Sequence, residues 1–252
     1  CTLCDMCFMT KCPYVPPHSF DLDFPHLMLR HRAVGHRKGQ TSFADQQLSE
    51  MDRNGRLGSM AAGLANWATK PDNGLTRPLI EQVAGIDRRA HLPPFLEVPL
   101  VNKAAGIVPP PNPDGPAFGK KAVIYAGCHD NFNDDTPGVA LVKVLAHNGV
   151  QVRIEHPDCC AMPKFENGDL PAVASAAQRI SAFFAPMVED GWDVVPLTTS
   201  CALMLKFEWP LIEPGNDTVK LLSQHTFDVS EYVVALAKST GLAPIEPMGK
   251  SI

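Results

Sequence analysis

The cysteines of this chain limit its possible folds and chemistry more than any other residue type. All eight fall in two groups, one at the start of the chain and one in its second half. The first group comprises Cys1, Cys4, Cys7 and Cys12, and the second comprises Cys128, Cys159, Cys160 and Cys201. Gathered thiolates are the ligands that iron–sulfur clusters require, because each iron needs a soft anionic donor. The pattern predicts cysteine-based metal sites that carry electrons.

Composition limits the classes of protein to which this chain can belong. The 252 residues include 45% hydrophobic residues and carry a net charge of −5, so the chain lacks the basic character of a nucleic-acid-binding protein. No apolar run reaches the roughly 18 residues that a membrane helix needs. An even number of cysteines is compatible with disulfides, but the scaffolds that depend on disulfides are small. The adjacent Cys159 and Cys160 suit metal ligation better than bridging.

The chain divides into three parts by composition. Residues 1–108 open with the first cysteine group and continue with a helical pattern, and residues 109–119 form a proline-rich linker. Residues 120–252 alternate between short β-branched runs and longer amphipathic stretches. Strands separated by helices of this length predict parallel βαβ units, and therefore an α/β fold.

Each cysteine of the second group follows a predicted strand. The strands are predicted over residues 122–126, 150–154 and 194–197. Cys128 follows the first strand, Cys159 and Cys160 the second, and Cys201 the third. The carboxyl ends of parallel strands share one edge of a sheet, so the four thiols are predicted to form one site. An iron–sulfur cluster, a structural zinc ion and unligated buried cysteines all remain open there.

The first group has the spacing C-x2-C-x2-C-x4-C-P, which resembles the bacterial ferredoxin run with one additional residue. In two-cluster ferredoxins the first three cysteines of the run bind one cluster and the fourth binds the other. The resemblance implies that Cys1, Cys4 and Cys7 bind a [4Fe–4S] cluster and that Cys12 reaches a second one. Since the remaining ligands are missing, we expect the chain to be part of a longer protein. A zinc knuckle is the main alternative.

Further motifs, spread over nearly the whole chain, resemble those of one protein family. They occupy residues 1–7, 54–59, 88–93, 127–128, 157–163 and 200–206. Together they resemble the cysteine-rich, CCG-type iron–sulfur family, whose members include iron–sulfur subunits of anaerobic glycerol-3-phosphate dehydrogenase and of heterodisulfide reductase. Two positions depart from the family pattern. Ala161 replaces the glycine after the cysteine pair, and Met204 replaces a fifth cysteine, which favours a simpler [4Fe–4S] cluster or zinc at the second site.

The resemblance implies a fold and a role. The fold is the C-terminal half of a two-cluster ferredoxin-type helical module, followed by a parallel βαβ cysteine-rich domain. The role is that of a cytoplasmic electron-transfer subunit, peripheral at the inner face of the membrane, between a flavin dehydrogenase or other redox subunit and quinone or a membrane subunit. A catalytic thiol/disulfide subunit like that of heterodisulfide reductase and a module with structural zinc remain alternatives. His129 and His156 flank the second site and are candidates for a hydrogen bond to a ligand sulfur.

Overall fold

The computed structural model describes residues 12–244, so Cys1, Cys4 and Cys7 lie outside the described residues. Within this range, helices precede the sheet: α1 Phe24–Arg37, α2 Phe43–Leu48, α3 Met51–Met60, α4 Ala62–Thr69, α5 Thr76–Ala84 and α6 Leu100–Ile107. The first two helices have polar N-cap residues, Asp23 and Ser42. The side chain of each accepts a backbone N–H of the first turn of its helix. The helical pattern predicted for this region is therefore confirmed.

A parallel sheet of three strands forms the centre of the second half, in the order β2-β1-β3. Its strands are β1 Lys121–Tyr125, β2 Gln151–Glu155 and β3 Trp192–Pro196. All three lie within two residues of their predicted positions, so the predicted α/β class and parallel sheet are confirmed. The central strand β1 is apolar on both faces because helices cover the sheet on both sides.

The helices that connect and follow the strands complete the fold. They are α7 Cys128–Phe132, α8 Thr136–His147, α9 Met162–Glu166, α10 Leu170–Glu189, α11 Thr199–Leu203, a one-turn π-helix Met204–Glu208, α12 Trp209–Ile212, α13 Asp217–Gln224 and α14 Val229–Ser239. Asp169 caps α10, and Asp228 forms a capping box with Glu231 at α14. No helix between residues 12 and 244, including the 20-residue α10, is long and apolar enough to cross a membrane.

The two faces of the sheet carry separate apolar cores, because side chains alternate along a strand. Val123 and Tyr125 of β1 pack on one face with α10 and the segment from α11 to α13. Ala122 and Ile124 pack on the other face with α6, α8 and α14. Leu100 of α6 is fully buried in this second core. The helical N-terminal part therefore contributes directly to the packing of the sheet.

The proline-rich segment 109–119 packs against the end of α8. The backbone N–H of Asn112 donates to the Ala146 carbonyl, and that of Ala117 donates to the Asn148 carbonyl, both at 2.8 Å. Ala117 is buried in the second core. The segment is therefore an ordered part of the packed structure.

Candidate functional site

The four cysteines of the second group lie together at the carboxyl edge of the sheet. Cys128 begins α7 directly after β1, Cys159 and Cys160 lie between β2 and α9, and Cys201 lies in α11 after β3. The sulfur atoms of Cys128 and Cys159 are 3.8 Å apart, and those of Cys160 and Cys201 are 3.3 Å apart. Residues up to 73 positions apart thus form two contacting thiol pairs at one edge.

The site extends from the apolar core toward the surface. Cys160 and Cys201 are buried in the same cluster as Tyr125 and Met204. Cys128 and Cys159 are half-buried.

Of the first cysteine group, only Cys12 lies among the described residues. It is half-buried in the segment that precedes α1.

The backbone around the cysteine pair adopts an unusual conformation. Ala161, the residue after the cysteine pair, has φ of 63° and ψ of 22° and precedes the first turn of α9. A left-handed conformation is unfavourable for residues with a Cβ, and it is common for glycine. The backbone of Ala161 is also one of the influences that lower the pKa of the Cys159 thiol. The strained residue thus lies at the turn that leads from the cysteine pair into α9.

Gly127 leaves space for the sulfur of Cys201. A Cβ at Gly127 would lie 3.0 Å from the Cys201 sulfur and 3.0 Å from Oδ2 of Asp130. Both distances are shorter than ordinary van der Waals contacts. The glycine before Cys128 is thus required by the close approach of the chain at the end of β1 to α11.

The pKa values of the thiols differ from one cysteine to the next. Hydrogen bonds from the thiols of Cys128 and Cys160 lower the pKa of Cys159 to about 3. The hydrogen bonds to Cys159, together with burial, raise the pKa of Cys128 and of Cys160. Of these three thiols, Cys159 therefore loses its proton most readily. Binding of a metal by all four sulfurs would release protons, because thiolates are the ligating form.

A buried carboxylate from α3 completes the surroundings of Cys159. Asp52 Oδ2 accepts the backbone N–H of Cys159 at 2.6 Å, and Oδ1 accepts from Nε2 of His156 at 3.0 Å. His156 Nδ1 donates to the carbonyl of Ala126 at 2.6 Å. Both ring nitrogens of His156 are thus occupied, and the predicted hydrogen bond to a ligand sulfur is replaced by these two. His129 lies in the first turn of α7, directly after Cys128.

Asp52 and His156 shift each other's pKa in a nearly closed environment. Burial opposes the charge of His156, but the hydrogen bond to Asp52 raises its pKa. Burial also opposes the charge of Asp52, but the hydrogen bond from His156 lowers its pKa. Sequence reasoning missed Asp52 because 107 positions separate it from Cys159 and no local motif contains it.

Asp158 also holds the backbone of Cys159. Its Oδ1 accepts the N–H of Cys159 at 3.0 Å, and its carbonyl accepts the hydroxyl of Tyr125 at 2.7 Å. Its Oδ2 accepts from the guanidinium of Arg179 on α10. The backbone of Cys159 is therefore held by two carboxylates from different parts of the chain.

The thiols suit a thiophilic metal by donor type and by convergence. Tetrahedral zinc with bonds of about 2.3 Å places neighbouring sulfurs about 3.8 Å apart. The Cys128 and Cys159 sulfurs already have this separation, whereas those of Cys160 and Cys201 are closer. Accordingly, among residues 12–244 no three His, Cys, Asp or Glu side chains are arranged to hold a metal ion as they stand. Ligation requires the buried pair to separate.

Met204 follows the last cysteine of the second group. It begins the π-helix three residues after Cys201 and is fully buried in the same apolar cluster. π-helical turns are rare and occur frequently at functional sites.

No family model, no curated protein and no solved structure matches this chain.

Proposed function

We propose that this chain is an iron–sulfur electron-transfer subunit in which Cys128, Cys159, Cys160 and Cys201 bind a cluster. The observation that carries the proposal is the convergence of these four thiols, from the ends of three parallel strands, into two contacting pairs. Buried cysteines that served only as apolar filling would not need to meet at the edge where α/β folds bind ligands. When bound, a [4Fe–4S] cluster supplies one-electron redox chemistry.

The residues around the thiols suit this role. The apolar cluster around Cys160 and Cys201 excludes water from the inner half of the site. The backbone N–H of Cys159 is held by Asp52 and Asp158, and such outer contacts orient ligands and tune the group that they bind. The task of the protein is therefore to hold the cluster, bury it and tune its potential.

The first cysteine group extends the proposal to a relay. Cys1, Cys4, Cys7 and Cys12 would contribute ligands to ferredoxin-type [4Fe–4S] clusters. The partners implied by the family resemblance are a flavin dehydrogenase or other redox subunit, and quinone or a membrane subunit. Electrons would pass singly between these partners through the clusters.

The test is anaerobic metal analysis and EPR on the chain. A full-length variant with serine in place of all four cysteines of the first group isolates the second site. The matched control adds Cys201→Ser, which removes one thiol of the buried pair. Stoichiometric iron and inorganic sulfide, with an EPR signal that changes on reduction and is lost in the control, would support the proposal.

Two results would contradict it. Stoichiometric zinc without a redox-dependent signal would make the site a structural clasp. A protein that is folded but binds no iron, even after anaerobic reconstitution with iron and sulfide, would remove the basis for electron transfer at this edge.

A further inference from the structure

We propose that Asp52 is a positioning residue of the cysteine site, supplied by the helical N-terminal part of the chain. This role rests on the proposed function, since it concerns the same four thiols. The argument starts from the two oxygens of one carboxylate. One oxygen accepts the backbone N–H of Cys159 at 2.6 Å and the other accepts from His156 at 3.0 Å. A single side chain therefore fixes both the cysteine loop and the imidazole.

The hydrogen bonds reach two of the three strand ends. His156 passes the connection to the carbonyl of Ala126, which directly follows β1 and lies two residues before Cys128. Asp52 holds the loop after β2 directly through the N–H of Cys159. The side chains of Asp52 and His156 are only 12% and 3% exposed, so water competes weakly for these bonds. Asp52 thereby determines how the loop with Cys159 stands relative to the one with Cys128.

Close packing of α3 brings Asp52 to this position. Gly55, one turn after Asp52, lies directly against the ring of Phe132 in α7, and a Cβ there would be 2.3 Å from that ring. On the other side of the site, Lys164 of α9 pairs with Glu50 at 2.7 Å. Helix α3 thus contacts α7, and Glu50, the residue that precedes α3, contacts α9. The site is not complete within residues 120–252, although all four thiols belong to that segment.

Asp52→Asn is the decisive variant, because an amide has one acceptor oxygen and directs N–H donors where the second oxygen was. Both contacts persist in this variant only if a neutral His156 accepts the amide N–H on Nε2, so the carboxylate that accepts from both groups is lost in either orientation of the amide. Groups that orient metal ligands typically contribute about 10- to 100-fold to metal affinity. We expect that loss for Asp52→Asn. Glu50→Gln is the matched control, because it removes the same charge from a carboxylate that pairs with Lys164 and does not contact a cysteine.

The experiment is a Co²⁺ titration followed by the absorption of thiolate-bound cobalt. All variants carry the serine substitutions in the first cysteine group. A second readout, on metal-free protein, is hydrogen exchange of the peptide that contains the Cys159 amide. The expected result is an affinity about 10- to 100-fold weaker and a changed cobalt spectrum for Asp52→Asn. Faster exchange confined to the Cys159 peptide is expected in the same variant, with Glu50→Gln close to the parent protein in every readout.

The outcomes separate this inference from the proposed function. Equal affinity, spectrum and exchange in Asp52→Asn and Glu50→Gln would overturn the inference. A weaker affinity accompanied by faster exchange throughout α3 and α7 would also overturn it, because that pattern identifies a general structural role. If the parent protein binds neither Co²⁺ nor iron, the proposed function fails. The exchange of the Cys159 amide then still decides whether Asp52 positions the loop.

Discussion

The sulfur atoms of Cys160 and Cys201 lie 3.3 Å apart, although 41 positions separate the two residues in the sequence. Both are buried in one apolar cluster, where few other partners can reach them. A disulfide bond needs the two sulfurs at about 2.0 Å, so only a small approach separates this dithiol from a disulfide. Metal ligation requires the opposite movement, since tetrahedral ligation places neighbouring sulfurs about 3.8 Å apart.

Oxidation and metal binding should therefore exclude each other. We expect metal-free protein to form the Cys160–Cys201 disulfide with hydrogen peroxide, which is small enough to reach buried thiols. The peroxide oxidises one thiol to a sulfenic acid and releases water, and the second thiol then displaces a second water molecule to form the disulfide. Alkylation after denaturation, followed by peptide mass spectrometry, measures the bond. Protein loaded with metal beforehand should keep both thiols, and equal oxidation with and without metal would count against this expectation.

Ala161→Gly should stabilise the protein. The left-handed conformation of Ala161 is strained for a residue with a Cβ, and glycine adopts it freely. After subtraction of the greater chain entropy of unfolded glycine, we expect a gain of about 0.5–1 kcal/mol in the free energy of unfolding. Urea unfolding of metal-free protein measures it. Ala182→Gly, at an exposed position inside α10, is the control and should lose about 1 kcal/mol. A loss at both positions would contradict the strain at Ala161.

Gly55→Ala should weaken the packing of α3 against α7. The added methyl group would overlap the ring of Phe132, so we expect a loss of about 1–3 kcal/mol in the free energy of unfolding. Gly63→Ala in α4 is the control, because nothing lies within 4 Å of its added Cβ. That substitution should stabilise the helix by about 0.5–1 kcal/mol. Equal effects of the two substitutions, measured by urea unfolding, would show that the contact with Phe132 is unimportant.

The attachment of α1 should weaken with rising pH. Burial opposes the charge of His26, but hydrogen bonds from its ring to Glu208 at 3.0 Å and Asp23 at 2.6 Å raise its pKa above the ordinary 6.5. A raised folded-state pKa means that the native state binds the proton more tightly than the unfolded chain. The stabilisation is complete below about pH 6.5 and is lost as the pH rises through the folded pKa.

The measurement is the free energy of unfolding of the parent protein and of His26→Gln across this pH range. The difference between them should shrink as the pH rises, because only the parent protein loses the charged interaction with Glu208 and Asp23. The comparison cancels the contribution of His156, which titrates in both proteins. A difference that stays constant with pH would show that the charge of His26 does not stabilise the fold.

Local sequence patterns were sufficient for the secondary structure near the site. The β-branched runs predict all three strands to within two residues. These features depend on neighbours in the sequence, which is why the sequence reveals them. The common direction of parallel strands then predicts that the four cysteines share one edge.

The tertiary structure alone decides how the site is built at that edge. It pairs Cys128 with Cys159 and Cys160 with Cys201, and it adds Asp52 from a helix that the sequence places in another part of the chain. No local pattern carries this information, because the reach of Asp52 depends on the close approach of Gly55 to Phe132. Cysteine spacing determines which atoms are available as ligands, whereas packing between distant helices determines where those atoms stand.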